Sequence, residues 1–321
     1  MARSSLKKNL KQGKICLGSW ITLGNTGIAE ILASAGFDWL VVDLEHSTIS
    51  IEQAGELIRT IDLTGVVPLV RLTSNDINQI KRMMDAGAHG IVVPNVNSPA
   101  EAKYAVAATR YAPKGCRGVG LARAQQYGPG FNDYLEWQNE SPVVIVQIEH
   151  QSALDHLEEI FAVSGVDGFI IGPYDLSCSM GMPGEFERPE FIKAMQRILE
   201  AGLKSGCPAG LHIIEPDPDL LRQVICEGYR FIAYSVDIRM LDVSARVGIK
   251  IGKEIVTAHC PNTGSMKGLL DEGNDVYVSK NDDPKRKLKY TLEIIKVKKN
   301  LVGVNTHFAN KIAFHGLTNN L

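Results

Sequence analysis

The sequence is most informative first through what it lacks. Its six cysteines, Cys16, Cys116, Cys178, Cys207, Cys226 and Cys260, never fall in C-x-x-C spacing, so neither a zinc knuckle nor a disulfide framework is expected. No apolar segment behind the basic opening MARSSLKKNLKQGK is long enough for a signal peptide, and no run approaches a membrane span. A reducing cytoplasm and no membrane partner are the expectations. Net charge is only -2, so no global basic field calls for nucleic acid or anionic lipid. No G-x-G-x-x-G follows the first apolar run, no Walker A loop exists, and the G-x-S-x-G elbow of common hydrolases is absent.

What is present is rhythm. At 321 residues and 45% hydrophobic content, the chain can bury a large core. Apolar, β-branched runs alternate with helical patterns: strands are expected at 15–23, 37–46, 67–72, 89–96, 143–149, 168–172, 208–213 and 229–236. Helices are expected between them at 27–37, 51–62, 75–86, 99–109, 153–163, 189–206, 216–227 and 239–252, with an irregular segment over roughly 111–141. Eight such pairs in about 240 residues predict an α/β fold, a (β/α)₈ TIM barrel. A doubly wound open sheet is the runner-up and lacks its glycine signature.

In a barrel the C-terminal ends of the strands form the site. Here they offer Trp20, Asp43, Glu45, His46, Arg71, Pro94, Asn95, Gln147, Glu149, Asp175, His212, Ser235 and Asp237. Glu149 and Asp175 end the runs VVIVQIEH and GFIIGPYDLS, which places two hard oxygen ligands side by side. That pair suits a divalent cation, or else is two solvated loop carboxylates. No lysine belongs to the set, so a Schiff-base nucleophile is missing. Metal-assisted chemistry at a carbonyl, with an enolate formed or released, is what remains.

The motifs G-S-W at 18–20, VVDLEH at 41–46, VPLVRL at 67–72, DAGAHGIVVPNV at 85–96, RGVGLARA at 117–124, VQIE at 146–149 and GPYDLS at 172–177 together resemble the HpcH/HpaI aldolase family, over roughly residues 5 to 253. The resemblance implies a class II aldolase that cleaves a 4-hydroxy-2-oxo acid, such as 4-hydroxy-2-oxoheptanedioate or a 2-dehydro-3-deoxy sugar acid, to pyruvate and an aldehyde. It implies Glu149 and Asp175 as ligands of Mg²⁺, Mn²⁺ or Co²⁺, Arg71 as enolate stabiliser and His46 as general base. Gln147, Gly172, Pro173, Tyr174 and Trp20 are implied in substrate binding. Asp85 matches the acid that raises the basicity of the histidine, with Asp43 as its local rival. Asp85 ends a helix on the barrel's far face, so it reaches a His46 only from a neighbouring subunit; a homo-oligomer, a hexamer among the options, is expected. Tyr174 stands where many family members have a small residue. Arg117, Arg123 and Tyr127 in the irregular segment either close over a substrate or pin the loop to the barrel.

After Lys253 the texture changes. Residues 254–321 hold 10 basic and 7 acidic residues against 24 and 29 before them, and β-like runs alternate with the turns PNTG, DEGND and NDDP. TAHCPNTGSMKGLL, NDDPKRKLKYTLEII and LVGVNTHFAN are similar to the N-terminal, OB-like part of the sugar fermentation stimulation protein A family. The expected domains are a barrel over 1–253 and a partial OB-type β segment over 254–321. Between Lys280 and Lys311 nine basic residues face three acidic ones. That balance sustains an alternative function, weak nucleic-acid binding with the barrel as scaffold. A truncated barrel that has lost core strands is the blander reading, and nucleic acid is not the expected partner.

Overall fold

The computed structural model describes residues 6–253, 258–261, 266–269, 271 and 273–306. The start of the family resemblance at residue 5 and the end of the basic stretch, 307–311, lie outside them.

By compactness the chain divides into two units, Met1–Ala245 and Arg246–Leu321. The first is a closed parallel barrel: β1 (Cys16–Ile21), β2 (Trp39–Asp43), β3 (Val67–Arg71), β4 (Gly90–Val93), β5 (Val143–Ile148), β6 (Gly168–Ile171), β7 (Ala209–Ile213) and β8 (Phe231–Val236), each bonded to the next and β8 back to β1. The helices between them are α2 (Thr26–Ser34), α3 (Ile51–Leu63), α4 (Ile77–Ala86), α5 (Pro99–Ala108), α7 (Leu157–Phe161), α9 (Pro189–Ser205) and α10 (Pro218–Glu227), with α11 (Asp237–Lys253) following β8. Local chemistry sets several starts: Ser50 caps α3 in a capping box with Gln53, and Ser98 caps α5 with Glu101 behind Pro99. No described helix is long and apolar enough to cross a membrane.

Three helices escape the sequence patterns. α1 (Leu6–Lys11) shows only two leucines in a basic stretch, yet Leu6 and Leu10 are both buried. They join Trp39, Val143 and Phe231 in one core cluster, and Lys7 Nζ pairs with Asp167 at 3.0 Å. α6 (Phe131–Glu140) occupies the end of the segment expected to be irregular; it is polar, starts at a glycine without a side-chain cap, and buries Tyr134 and Gln138. α8 (Pro173–Ser179) follows β6 at once, so Asp175 sits in the first turn of a short helix rather than on a strand.

The strands build two core layers by period-two alternation. Leu40, Val42, Val70, Ile91, Val144 and Val146 join the cluster shared with the helices, whereas Trp39, Val41, Leu69, Val92, Ile145, Ile170 and Phe231 belong to a separate cluster within the barrel. Gly18 is required here: a Cβ would lie 2.1 Å from the Trp39 indole, which stacks on Phe231 at 4.1 Å. Counting on along the inner rows, Val41 leads to Asp43, Leu69 to Arg71, Ile145 to Gln147 and Glu149, and Ile170 to Gly172. The apolar filling thus ends in polar side chains at one rim.

In the second unit, β10 (Asp275–Lys280), β11 (Tyr290–Val297) and β12 (Asn300–Gly303) form an antiparallel meander, and β9 (Ala258–His259) pairs parallel to β11. Ile295 and Val304 are buried, while β10 is exposed along its whole length.

Candidate active site

A cavity of about 360 Å³ opens at the C-terminal rim of the barrel, lined by Trp20, His46, Arg71, Gln147, Ile170, Ile171, Gly172, Pro173, Tyr174, Asp175, His212 and Ile214. All of these belong to the first unit. Its position matches the rule that barrel sites form on the βα loops.

One side is organised by Asp43, only 2% exposed. The β2–β3 register sets Asp43 opposite Arg71, and the two form a fork-to-fork pair, Nε to Oδ1 at 2.9 Å and Nη2 to Oδ2 at 2.6 Å. Asp43 Oδ1 also accepts the backbone N–H groups of Glu45 (3.0 Å) and His46 (3.3 Å), folding the loop after β2. Its carboxylate reaches His46 through the backbone, with no bond to the imidazole among the described residues. Arg71 lies over the Trp20 ring at 4.4 Å, and its Nη1 stands 3.2 Å from Glu45 Oε2. Glu45 carries no role in the sequence reading; its signal was adjacency to His46 in VVDLEH.

The opposite side is built on Glu149, 7% exposed. Asn95 N–H donates to Glu149 Oε1 at 2.6 Å, and the Gln147 side-chain amide donates to Oε2. Asn95 takes φ 52° to aim that N–H, a left-handed conformation no strand pattern announces. Burial pushes the Glu149 carboxyl up to about 7; the charges of Glu45 and Asp175 add to this, while the Asn95 N–H and the Gln147 amide oppose it. Gly172 lets the chain pass: a Cβ would lie 2.9 Å from Glu149 Oε2 and 3.3 Å from Gln147 Nε2. Asp175 is exposed at the cavity, and Tyr174 is held edge-on to Phe186 at 4.9 Å.

This donor set fits a hard cation. Burial, with the charges of Glu45 and Asp175 added, raises the Glu149 carboxyl, a cost that a cation would offset, and Gln147 Oε1 is buried with no partner. Among the described residues no three His, Cys, Asp or Glu side chains converge tightly enough to enclose an ion by themselves. A cation here would rest on two carboxylates, with water or substrate oxygens completing its sphere.

Other rim residues serve the frame. Asp237 accepts from Thr22 N, Thr22 Oγ1 and Leu23 N, tying the β1–α2 turn to β8. Asp85 ends α4, away from the cavity of its own chain, with Arg117 and Lys81 as its nearest charges and Oδ1 buried without a partner. In the long loop, Arg117 is 2% exposed, bonds Tyr134 Oη at 2.8 Å and lies over the Tyr111 ring at 4.3 Å; Arg123 pairs with Asp62 at 2.5 Å. Arg123 pins the loop to α3 and α4 of the barrel, whereas Arg117 ties the loop to itself and to α6. Tyr127 is exposed beside a second cavity of about 260 Å³, where Asp62 is already engaged by His89 and Arg123.

The fold and this rim define a class of barrel lyase, and comparison with known proteins gives the family. Residues 17–242 match the model of the HpcH/HpaI aldolase/citrate lyase family, and the chain belongs to it. It is 38% identical over 246 residues to a hydroxypyruvate/pyruvate aldolase of Sagittula stellata, covering 76% of this chain and 96% of that one. It is 37% identical over 255 residues to a 4-hydroxy-2-oxo-heptane-1,7-dioate aldolase of Salmonella paratyphi C, covering 77% and 96%. A crystal structure of a family protein from Burkholderia cenocepacia superposes with a TM-score of 0.74 at 34% identity, covering 78% of this chain and all of that one. The chain is an aldolase, a carbon–carbon lyase. Residues 230–304 match the SfsA N-terminal OB domain. The start of that match runs through β8, whose residues are bonded to β1 and β7 as a barrel strand.

Proposed function

We propose that the barrel cleaves a 4-hydroxy-2-oxo acid, of the heptanedioate or 2-dehydro-3-deoxy sugar acid type, to pyruvate or a close 2-oxo acid and an aldehyde, and catalyses the reverse addition. Arg71 and Asp175 line one cavity, and buried Glu149 lies directly behind its Gln147 and Gly172 wall; that arrangement carries this reading. Glu149 and Asp175 are the residues that would hold a divalent cation, Mg²⁺, Mn²⁺ or Co²⁺; when bound, such an ion polarises the carbonyl of the 2-oxo acid as a Lewis acid.

The chain's own residues divide the remaining work. Asp43 fixes Nε and Nη2 of the Arg71 guanidinium, and Nη1, 3.2 Å from Glu45 Oε2, is the corner that would turn to the oxyanion of the departing pyruvate enolate. A donor so placed contributes roughly 3–4 kcal/mol to the transition state. His46 takes the proton of the C4 hydroxyl, directly or through water, and the C3–C4 bonding pair moves onto the pyruvate half as the aldehyde leaves. The proton then returns to C3. The Gln147 amide and the backbone N–H of Tyr174, beyond Gly172 and Pro173 in the first turn of α8, receive the substrate carboxylate, while Trp20 backs Arg71. Asp85 would serve the His46 of a neighbouring subunit, which goes with a homo-oligomer, a hexamer being one arrangement. The exposed Ile238 and Leu241 on α11 support burial in such an assembly.

We take residues 1–253 as the catalytic domain and 254–321 as a partial OB-type appendage. The OB match favours one second reading, nucleic-acid contact through the basic tail. The described strands fall short of the five of a full OB barrel. Salt-independent failure to retain single-stranded DNA would dismiss it.

The deciding experiment couples pyruvate detection to a panel of 4-hydroxy-2-oxo acids, with chelator and with each metal. Metal-stimulated release should vanish in Glu149→Ala and Asp175→Ala, and borohydride with substrate should leave the enzyme active. Retained release in either variant refutes the site.

A further inference from the structure

One polar ring in the cavity has no task in these steps. His212 continues the inner row of β7 two residues beyond Gly210, and its Nε2 lies 3.0 Å from the Ser235 carbonyl oxygen. A carbonyl oxygen only accepts, so Nε2 carries the hydrogen. That carbonyl is held firmly: Ser235 adopts φ 56°, its hydroxyl donates to Ile214 O at 2.8 Å, and its carbonyl also accepts from Ser19 Oγ at 3.2 Å. Burial drives the imidazole pKa down to about 4; the Ser235 bond opposes this and the Arg71 charge reinforces it, so the ring is neutral near pH 7.

A neutral ring with hydrogen on Nε2 presents a bare lone pair at Nδ1. No described protein group donates to it. Trp20 faces His212 with ring centroids 5.3 Å apart, and its indole N–H is buried without an acceptor. Adjacent rings of one cavity wall therefore carry one unused acceptor and one unused donor. A hydroxyl both donates and accepts, and satisfies both. A methyl group satisfies neither, and a carboxylate has no hydrogen for the lone pair.

We propose that His212, with Trp20, determines specificity by holding a hydroxyl on the aldehyde half of the substrate, so that the enzyme favours hydroxyaldehyde products over unsubstituted or carboxylate-ended ones. The assignment rests on the aldolase reading above, which occupies the 2-oxo acid end with Arg71, Gln147, Glu149 and Asp175.

The test compares kcat/KM for cleavage of 4,5-dihydroxy-2-oxopentanoate and 4-hydroxy-2-oxopentanoate, which differ only in the C5 hydroxyl, on the full chain with Mg²⁺. The wild type should favour the dihydroxy acid by about tenfold or more. His212→Leu should bring the ratio near one, and His212→Gln, which keeps an acceptor oxygen, should retain part of it. Equal use by the wild type, or an undiminished ratio in His212→Leu, overturns the proposal. Where neither acid is cleaved the aldolase reading fails, and ¹⁵N resonances of the ring decide this one. Nδ1 should appear unprotonated and shift with the dihydroxy acid alone; a protonated or unmoved Nδ1 overturns it.

Discussion

Arg71 shows how a single side chain's worth depends on its partners. Its planar fork matches the Asp43 carboxylate at two points, a match a lysine cannot make. Arg71→Lys should keep the charge and lose the aim, lowering kcat about 10²–10³-fold in steady-state assays. Gly172 makes the complementary point, because there a single added methyl would displace the Glu149 carboxylate. A displacement of about 1 Å costs on the order of 10²-fold in rate, so Gly172→Ala should show that loss with a circular dichroism spectrum like the wild type. Much of this was legible in the sequence, since the switch from Ile145 to Gln147 and Glu149, or from Leu69 to Arg71, marks where an inward row leaves the core. The Asp43–Arg71 fork was not: 28 residues separate the partners, and only strand register unites them.

At the scale of elements, the eight strands and most helices were readable because β-branched runs and helical spacing alternate without interruption. What escaped had weak local signals: α1 shows two leucines, α6 lacks a capping side chain, and α8 spans 7 residues. The last omission matters most, because it moves Asp175 from a strand end to a helix's first turn. The β4 end carries its own requirement in the left-handed Asn95, whose N–H holds Glu149. Asn95→Val should destabilise the barrel by about 1–3 kcal/mol in urea titrations, whereas Asn95→Gly should be tolerated.

For the whole molecule, acid stability turns on a group remote from the cavity. Burial alone would raise the Asp62 carboxyl, but the hydrogen bonds from His89 and Arg123 outweigh it and hold it below its ordinary range. Its contribution to stability is therefore complete above the unfolded value of about 3.9 and fades as pH falls through the lower folded value. Asp62→Asn should cost roughly 3–5 kcal/mol at neutral pH, and the gap from wild type should narrow as pH falls below about 4 in thermal melts. Truncation after Lys253 should leave pyruvate release intact, since every residue lining the cavity precedes it.

β10 gives that truncation a practical side. Among the described residues no strand pairs with the flank of β10 opposite β11, which lies beside exposed Val276, Tyr277 and Val278. Such a border recruits further strands from other copies as concentration rises. Purified full-length enzyme should therefore turn cloudy on concentration well before the shortened one does, and a lysine in place of Val276 should keep it clear.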